Sequence, residues 1–195
     1  RNEWRRWDPS RSKVAASLLK TKNKPSDLLP ESGSSCLYLG ASTGGTVSHI
    51  HDHVCGSGNH HGGHVVAVDI SPRMMRDLVK LSEKRSGLIP VLADARKPME
   101  ISPYMREKAT WLHQDLSIGD QAETFVKMTG AFLAQGGVAL LSLKAASERW
   151  MEGGDLARFE HSKRIIEACE HLDLIETIDI SVFEEQHVVF FCIKK

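Results

Sequence analysis

Seven short apolar or β-prone runs recur along the 195-residue chain, with polar or amphipathic stretches between them, and this alternation limits the folds open to it. They lie at 36–39, 65–68, 89–93, 110–114, 138–143, 174–182 and 187–193. Each has the length of a strand buried on both faces. Helical spacing fills the gaps. Thr46 can open one helix, Ser71-Pro72 caps another that carries Met75, Leu78, Val79 and Leu81 inward, and 120–135 forms a third, stopped by Gly136-Gly137. From 155 to 172, Leu156, Phe159, Ile166, Cys169 and Leu172 recur at helical spacing. Strands alternating with helices predict an α/β fold, a mostly parallel seven-stranded sheet with helices on both faces. Only four residues, 183–186, separate the last two runs, which predicts a hairpin and an antiparallel C-terminal strand.

Between the first run and its helix lies a turn of small residues, with Gly40, Ala41, Gly44, Gly45 and Thr46. Glycines let backbone approach a ligand, and the free N–H groups of the helix that follows face whatever sits over the turn. The turn matches neither the G-x-G-x-x-G dinucleotide pattern nor a P-loop. Asp69, ending the second run, stands where the ribose of an adenosine cofactor is usually held, so a nucleoside-cofactor site is expected. Asp94 ends the third run and Asp115 the fourth, while Lys144 ends the fifth. Acids after successive strands suit a ligand with hydroxyl and amine donors, although they also cap helices.

The length fits one domain, divided as a basic N-terminal helix and connector over 1–33 and a globular body over 34–195. Net charge is zero, yet residues 1–24 hold eight Lys and Arg against Glu3 and Asp8, so the remainder is acidic by six. Such an arm meets a polyanion at one end. Asp8 or Ser10 can cap a helix in which Val14, Leu18 and Leu19 share one face. Trp4 and Trp7 interleave with Arg5, Arg6 and Arg11, a mixture suited to RNA and equally to surface packing. Four scattered cysteines read as reduced thiols of an intracellular protein, and no run reaches the roughly 18 residues that span a bilayer. The histidines between His49 and His64 match no structural zinc spacing and lie at the sheet edge remote from the strand ends, so no metal is expected.

The architecture is that of Rossmann-like methyltransferases, since dinucleotide folds lack the terminal hairpin. Beyond it, 7–13 (WDPSRSK), 38–41 (YLGA), 46–49 (TVSH), 76–78 (RDL), 89–91 (IPV), 94–96 (DAR), 120–121 (DQ) and 186–189 (QHVV) resemble, in order over nearly the whole chain, the fibrillarin family of box C/D ribonucleoprotein methyltransferases. The resemblance implies S-adenosylmethionine as cofactor and a ribose 2′-hydroxyl of RNA as acceptor. It implies a catalytic set of Lys13, Asp115, Lys144 and His187, and cofactor contacts from Gly40, Ala41, Gly44, Gly45, Thr46, Asp69, Ile70, Asp94, Ala95, Asp115 and Gln121. RNA would meet Arg5, Arg6, Arg11 and Lys13. The implied partners are guide or ribosomal RNA and a Nop-type scaffold, with no membrane, and the implied location is the nucleolus, an archaeal cytoplasm or an organelle such as the mitochondrion.

Two lysines held near one carboxylate and partly buried favour loss of a proton from one of them; Lys144 is the expected base, Lys13 the positioner and His187 a support. The chain departs from the family at Thr43-Gly44-Gly45-Thr46-Val47, where Ser-Gly-Thr-Thr-Val is usual, at Asp69-Ile70 and at Asp115-Leu116-Ser117. The family's N-terminal β-rich subdomain is not contained in these 195 residues. The competing expectation is a methyltransferase fold kept as a structural ribonucleoprotein subunit; the intact Lys-Asp-Lys-His set opposes it.

Overall fold

The computed structural model describes residues 4–148 and 152–195. Arg1 and Glu3 of the basic segment lie outside them. The strands are β1 (Ser35–Leu39), β2 (His64–Asp69), β3 (Leu88–Leu92), β4 (Ala109–Gln114), β5 (Leu133–Lys144), β6 (Leu172–Asp179) and β7 (His187–Lys194). They form one sheet in the order β3-β2-β1-β4-β5-β7-β6, in which β7 runs antiparallel to both neighbours and the first five strands are parallel. The helices are α1 (Lys13–Lys20), α2 (Gly45–Cys55), α3 (Pro72–Ser82), the one-turn α4 (Pro98–Ile101), α5 (Gln121–Phe132) and α6 (Asp155–Glu167).

Strand alternation divides the core in two. Leu37, Leu39, Val66, Val68, Leu141 and Phe190 face Phe125, Met128 and Phe132 of α5 and Ile166 of α6. Cys36, Tyr38, Val65, Ala67, Leu140 and Phe191 face Val14 of α1, Ile50 of α2 and Leu78 of α3. A residue period of two therefore assigns each strand side chain to one helical layer. The arm belongs to this body: Val14 and Ala16 are buried, and Glu176 of β6 accepts hydrogen bonds from Thr21, Lys22 and Asn23.

Several local expectations shift. Asp8 caps only a 3-10 turn at Pro9–Arg11, and Ser12 caps α1, its hydroxyl accepting from Ala15 N. Leu19 is exposed because the buried face of α1 runs through Val14, Ala15, Ala16 and Ser17. Helix α5 stops at Phe132, before Gly136-Gly137. Those glycines sit in an irregularity of β5, where pairing with β4 jumps from Ala109–Leu133 to Trp111–Val138. The last long helix ends at Glu167, Leu172 already belongs to β6, and Leu156 is exposed. β6 ends at Asp179, so seven residues join it to β7, with the N–H groups of Phe183 and Glu184 donating to Ile180 O. Ser71 caps α3 as expected, accepting from Met74 N.

Candidate active site

Strand order reverses between β1 and β4, where α/β sheets open a crevice at the carboxyl ends of their strands. The glycine turn fills this place. Gly40 N and Ala41 N donate to Val68 O, and Asp115 N donates to Leu39 O. Gly40 has φ +86°, and a Cβ there would stand 2.0 Å from Asp115 O. No other residue fits between the two strand ends. Gly44 has φ +89° and lies against Leu78 and Leu81 of α3, whereas Gly45 has open space around it. The two adjacent glycines thus answer different demands.

Asp69 ties the turn together. Its Oδ2 accepts from Ser42 N at 2.7 Å and its Oδ1 from Ser71 N at 2.8 Å. Ser42 has φ +51°, a left-handed conformation that this bond helps hold. Sequence reading missed Ser42, since a serine shows no sign of its torsion. Asp94 is held by Arg96, whose N and Nε donate to Oδ1 and whose Nη2 donates to Oδ2; these bonds keep its carboxyl below the usual range. A cavity of about 330 Å³ opens between these strand ends, lined by Gly40, Asp69, Ile70, Asp94, Ala95 and Asp115 among others. A second, of about 470 Å³, lies on the arm side and is lined by Arg6, Trp7, Arg11, Ala41, Gly45 and Thr46, and again by Gly40, Ser42 and Asp115. Gly44 and Gln121 line neither cavity.

Around Asp115 two members of the expected polar set, Lys13 and His187, come together, and Lys144 joins them only as the strand partner of His187. Lys13 Nζ donates to Asp115 Oδ2 at 2.9 Å, in a pair whose side chains are 17% and 27% exposed. Its placement begins at Ser12, the α1 cap, whose hydroxyl also accepts from Thr46 Oγ1 and so fastens α1 to the first turn of α2. Glu184 Oε1 stands 3.9 Å from both Lys13 Nζ and His187 Nε2. His187 Nδ1 lies 2.7 Å from Glu185 O. A carbonyl only accepts, so in the neutral ring Nδ1 carries the proton and Nε2 is bare. Burial first, and Lys13 after it, push the His187 pKa down, against the opposing pull of the Glu185 bond, Glu184 and Asp115.

Lys144 is the ladder partner of His187. Its N–H donates to Gln121 Oε1 and its carbonyl accepts from Gln121 Nε2, both at 3.1 Å, and Gln114 Nε2 donates to Gln121 O. Gln121, fully buried, therefore pins the ends of β4 and β5. Among the described residues no hydrogen bond or ion pair holds the Lys144 ammonium. Beneath the cluster, His113 is wholly buried, donates or accepts at Ser142 Oγ and meets the Tyr38 ring edge-on; burial pushes its pKa down to about 4. Glu184 was legible only as an acid three residues before His187, and His113 only as a polar residue in an apolar strand.

The arm lies along α2. Trp7 stacks on His49 with ring centroids 5.0 Å apart, and Arg5 binds Ser48 Oγ and Asp52. Arg6 and Arg11 border the arm-side cavity, Arg6 lying 3.6 Å from Asp8 Oδ2, and Arg5 and Lys13 are engaged by Asp52 and Asp115. The clustered histidines have local partners: His53 bonds to Pro30 O, His51 to Ser86 O and His60 to Ser57 O. Among the described residues no group of three or more His, Cys, Asp or Glu is placed to hold a metal ion, and no helix is long and apolar enough to cross a membrane.

The fibrillarin family model matches residues 1–195. The chain belongs to the fibrillarin family. This fibrillarin-family chain is 36% identical over 188 residues to the fibrillarin-like rRNA/tRNA 2′-O-methyltransferase of Methanococcus voltae, covering 96% of itself and 77% of that relative. Its fold matches the fibrillarin of a fibrillarin/Nop5p crystal structure with a TM-score of 0.84 at 27% identity, over 97% of this chain and 84% of the other. It also matches Aeropyrum pernix fibrillarin, solved with natively bound S-adenosyl-L-methionine, with a TM-score of 0.78 at 28% identity, over 94% and 75% of the two chains.

Proposed function

We propose that this chain is an S-adenosylmethionine-dependent RNA ribose 2′-O-methyltransferase. The observation that carries the reading is the Lys13–Asp115 ion pair, whose carboxylate residue lines two cavities, one at the strand ends and one beneath a basic arm. The strand-end cavity fits an adenosine. Asp69 has two lone-pair sites left after its two backbone bonds, enough for ribose hydroxyls. Asp94 and Ala95 border the adenine side, Ile70 covers its lip, and the Gly40–Ala41 turn takes the methionine end, with Gly45 and Thr46 opening α2 beside it. Gly44 and Gln121 act at one remove, by seating the turn on α3 and by pinning Lys144.

When bound, S-adenosylmethionine supplies a methyl on a sulfonium, ready for in-line displacement. The chain must position and deprotonate the ribose hydroxyl. Asp115 orients Lys13, whose ammonium holds the hydroxyl or its phosphate, and Arg6 and Arg11 hold the strand beyond. Lys144, whose ammonium has no partner among the described residues, takes the proton as the hydroxyl oxygen receives the methyl. A second assignment rests on one observation: the Glu185 bond leaves His187 Nε2 bare, so a neutral imidazole also faces the site. A pH–rate profile separates the two, because His187 as base gives an acid limb below the ordinary histidine range and Lys144 does not.

By likeness to the fibrillarin solved with Nop5p, a Nop-type scaffold is the protein partner, and guide or ribosomal RNA its nucleic acid. Its compartment is the one where such particles assemble, a nucleolus in a eukaryotic cell or the cytoplasm of an archaeon. The test is methylation of RNA from cells lacking the protein, with the returning ribose methyl mapped. A protein that binds S-adenosylmethionine by calorimetry yet restores no methyl would be a structural subunit.

A further inference from the structure

A second polar groove lies beyond the arm. The arm runs antiparallel along α2: Ser12 meets Thr46 at its start, Trp7 stacks on His49, and Arg5 reaches Asp52 near its end. At the C-terminal end of α2 a groove of about 1040 Å³ is lined by Trp4, Arg5, His51, Asp52, Lys84 and Arg85, among others. Asp52 gathers two of these cations, Arg5 at 2.8 Å and Arg85 at 3.2 Å, at the wall of the groove. Three cations, two of them held by Asp52, against that one carboxylate leave a local surplus of two on a body that is acidic outside its first 24 residues.

Two buried polar atoms of this wall have no hydrogen-bond partner among the described residues. They are Arg85 Nε and His51 Nδ1, the latter on a side chain only 4% exposed. His51 Nε2 bonds to Ser86 O and so carries the ring proton in the neutral form, leaving Nδ1 bare and 3.7 Å from Asp52 Oδ1. Trp4 is 92% exposed among these cations, and Gly58 has no atom within 4 Å of where its Cβ would stand. Cations beside an exposed aromatic and an open backbone suit a single strand, with phosphates on the cations and a base on the ring.

We propose that this groove is a second RNA-backbone site, holding the strand whose ribose is presented at Lys13 and Asp115. The proposal rests on the RNA methyltransferase reading above. The eleven residues of α2 measure about 16 Å, or roughly four to five nucleotides at about 3.4 Å of rise per nucleotide. The groove therefore contacts RNA that extends at least that far from the modified nucleotide, and shorter RNA does not reach it.

Fluorescence anisotropy tests this with the full chain, at low salt, using labelled single-stranded RNAs of about 4 and about 12 nucleotides. The informative variant is Lys84→Glu, because Lys84 is exposed and its ammonium has no partner among the described residues. Lys84→Glu is expected to weaken binding of the longer RNA roughly tenfold and to reduce its salt slope by about one, leaving the shorter RNA unaffected. Trp4→Ala is expected to weaken the longer RNA alone. If Lys84→Glu binds both RNAs like wild type while Arg11→Ala loses affinity, the groove is refuted and the RNA reading stands. If the wild type binds neither RNA, both fall. Loss of binding to a scaffold protein with RNA affinity unchanged would also overturn the proposal, by making the groove a protein interface.

Discussion

Lys13 and Asp115, 102 residues apart in sequence, meet at 2.9 Å across the gap between α1 and the end of β4. The bond brings the basic arm to the place where five strands end. Lys13→Ala is expected to lower single-turnover methyl transfer by about 10²- to 10⁴-fold, with S-adenosylmethionine affinity changing little, because the proposed function sets the lysine on the acceptor side. Lys13→Arg, which keeps the charge, is expected to recover part of the rate. Calorimetry beside the transfer assay checks the separation; equal losses in both would place Lys13 at the cofactor instead.

Glu184 lies between Lys13 and His187, 3.9 Å from each. Replacing it as Glu184→Gln removes a negative neighbour that favours the imidazolium, so the His187 pKa should fall further below its ordinary value. An NMR titration of the imidazole reads this without substrate. An unmoved titration curve would show that the two groups are uncoupled.

Gly40→Ala sets a Cβ 2.0 Å from Asp115 O at φ +86°. Backbone cannot yield there without parting β1 from β4, and a loss above about 3 kcal/mol is expected from urea unfolding. Gly45→Ala has open space and starts a helix, so its stability should stay within about 1 kcal/mol of wild type or rise. Similar losses in both would mean that sequence position, not the approach of Asp115, governs the turn.

Burial holds His113 neutral, with a pKa of about 4 against an unfolded value near 6.5. The unfolded chain then binds more protons between these values. This contribution to stability is fully present above about pH 6.5 and is lost as the pH falls toward 4, on the order of 3 kcal/mol over the window. His49, His64 and His187, also shifted down chiefly by burial, act in the same direction. Urea midpoints at pH 7.5 and pH 5 should differ, and His113→Phe should flatten the difference.

Asp69→Asn loses the charge that accepts from Ser42 and Ser71 and that the proposed function sets against the cofactor ribose. S-adenosylmethionine affinity should drop about tenfold to a hundredfold, the range for hydrogen bonds to a charged group. Calorimetry decides, and unchanged affinity would move the ribose away from β2.

The strands were legible because each is a short, continuous β-prone run, and the terminal hairpin because only a few residues part the last two. Strand ends were legible for the same reason, which is why Asp69, Asp94, Asp115 and Lys144 could be placed on one edge. Gly136-Gly137 misled the reading, since glycines that can end a helix can equally serve an irregularity in a strand. Leu19 and Leu156 misled it because a local apolar pattern does not say which stripe the body will cover.

What the sequence determined by itself was the order of strands and helices and, with it, the edge where the acids and Lys144 gather. Those properties are local, set by side-chain period and backbone torsion over a few residues. Tertiary structure alone decided that Lys13 would reach Asp115, that Glu184 would sit between Lys13 and His187, and that Asp52 would collect Arg5 and Arg85. Each of these depends on how separate elements pack, and distances between charges follow from packing, not from spacing along the chain.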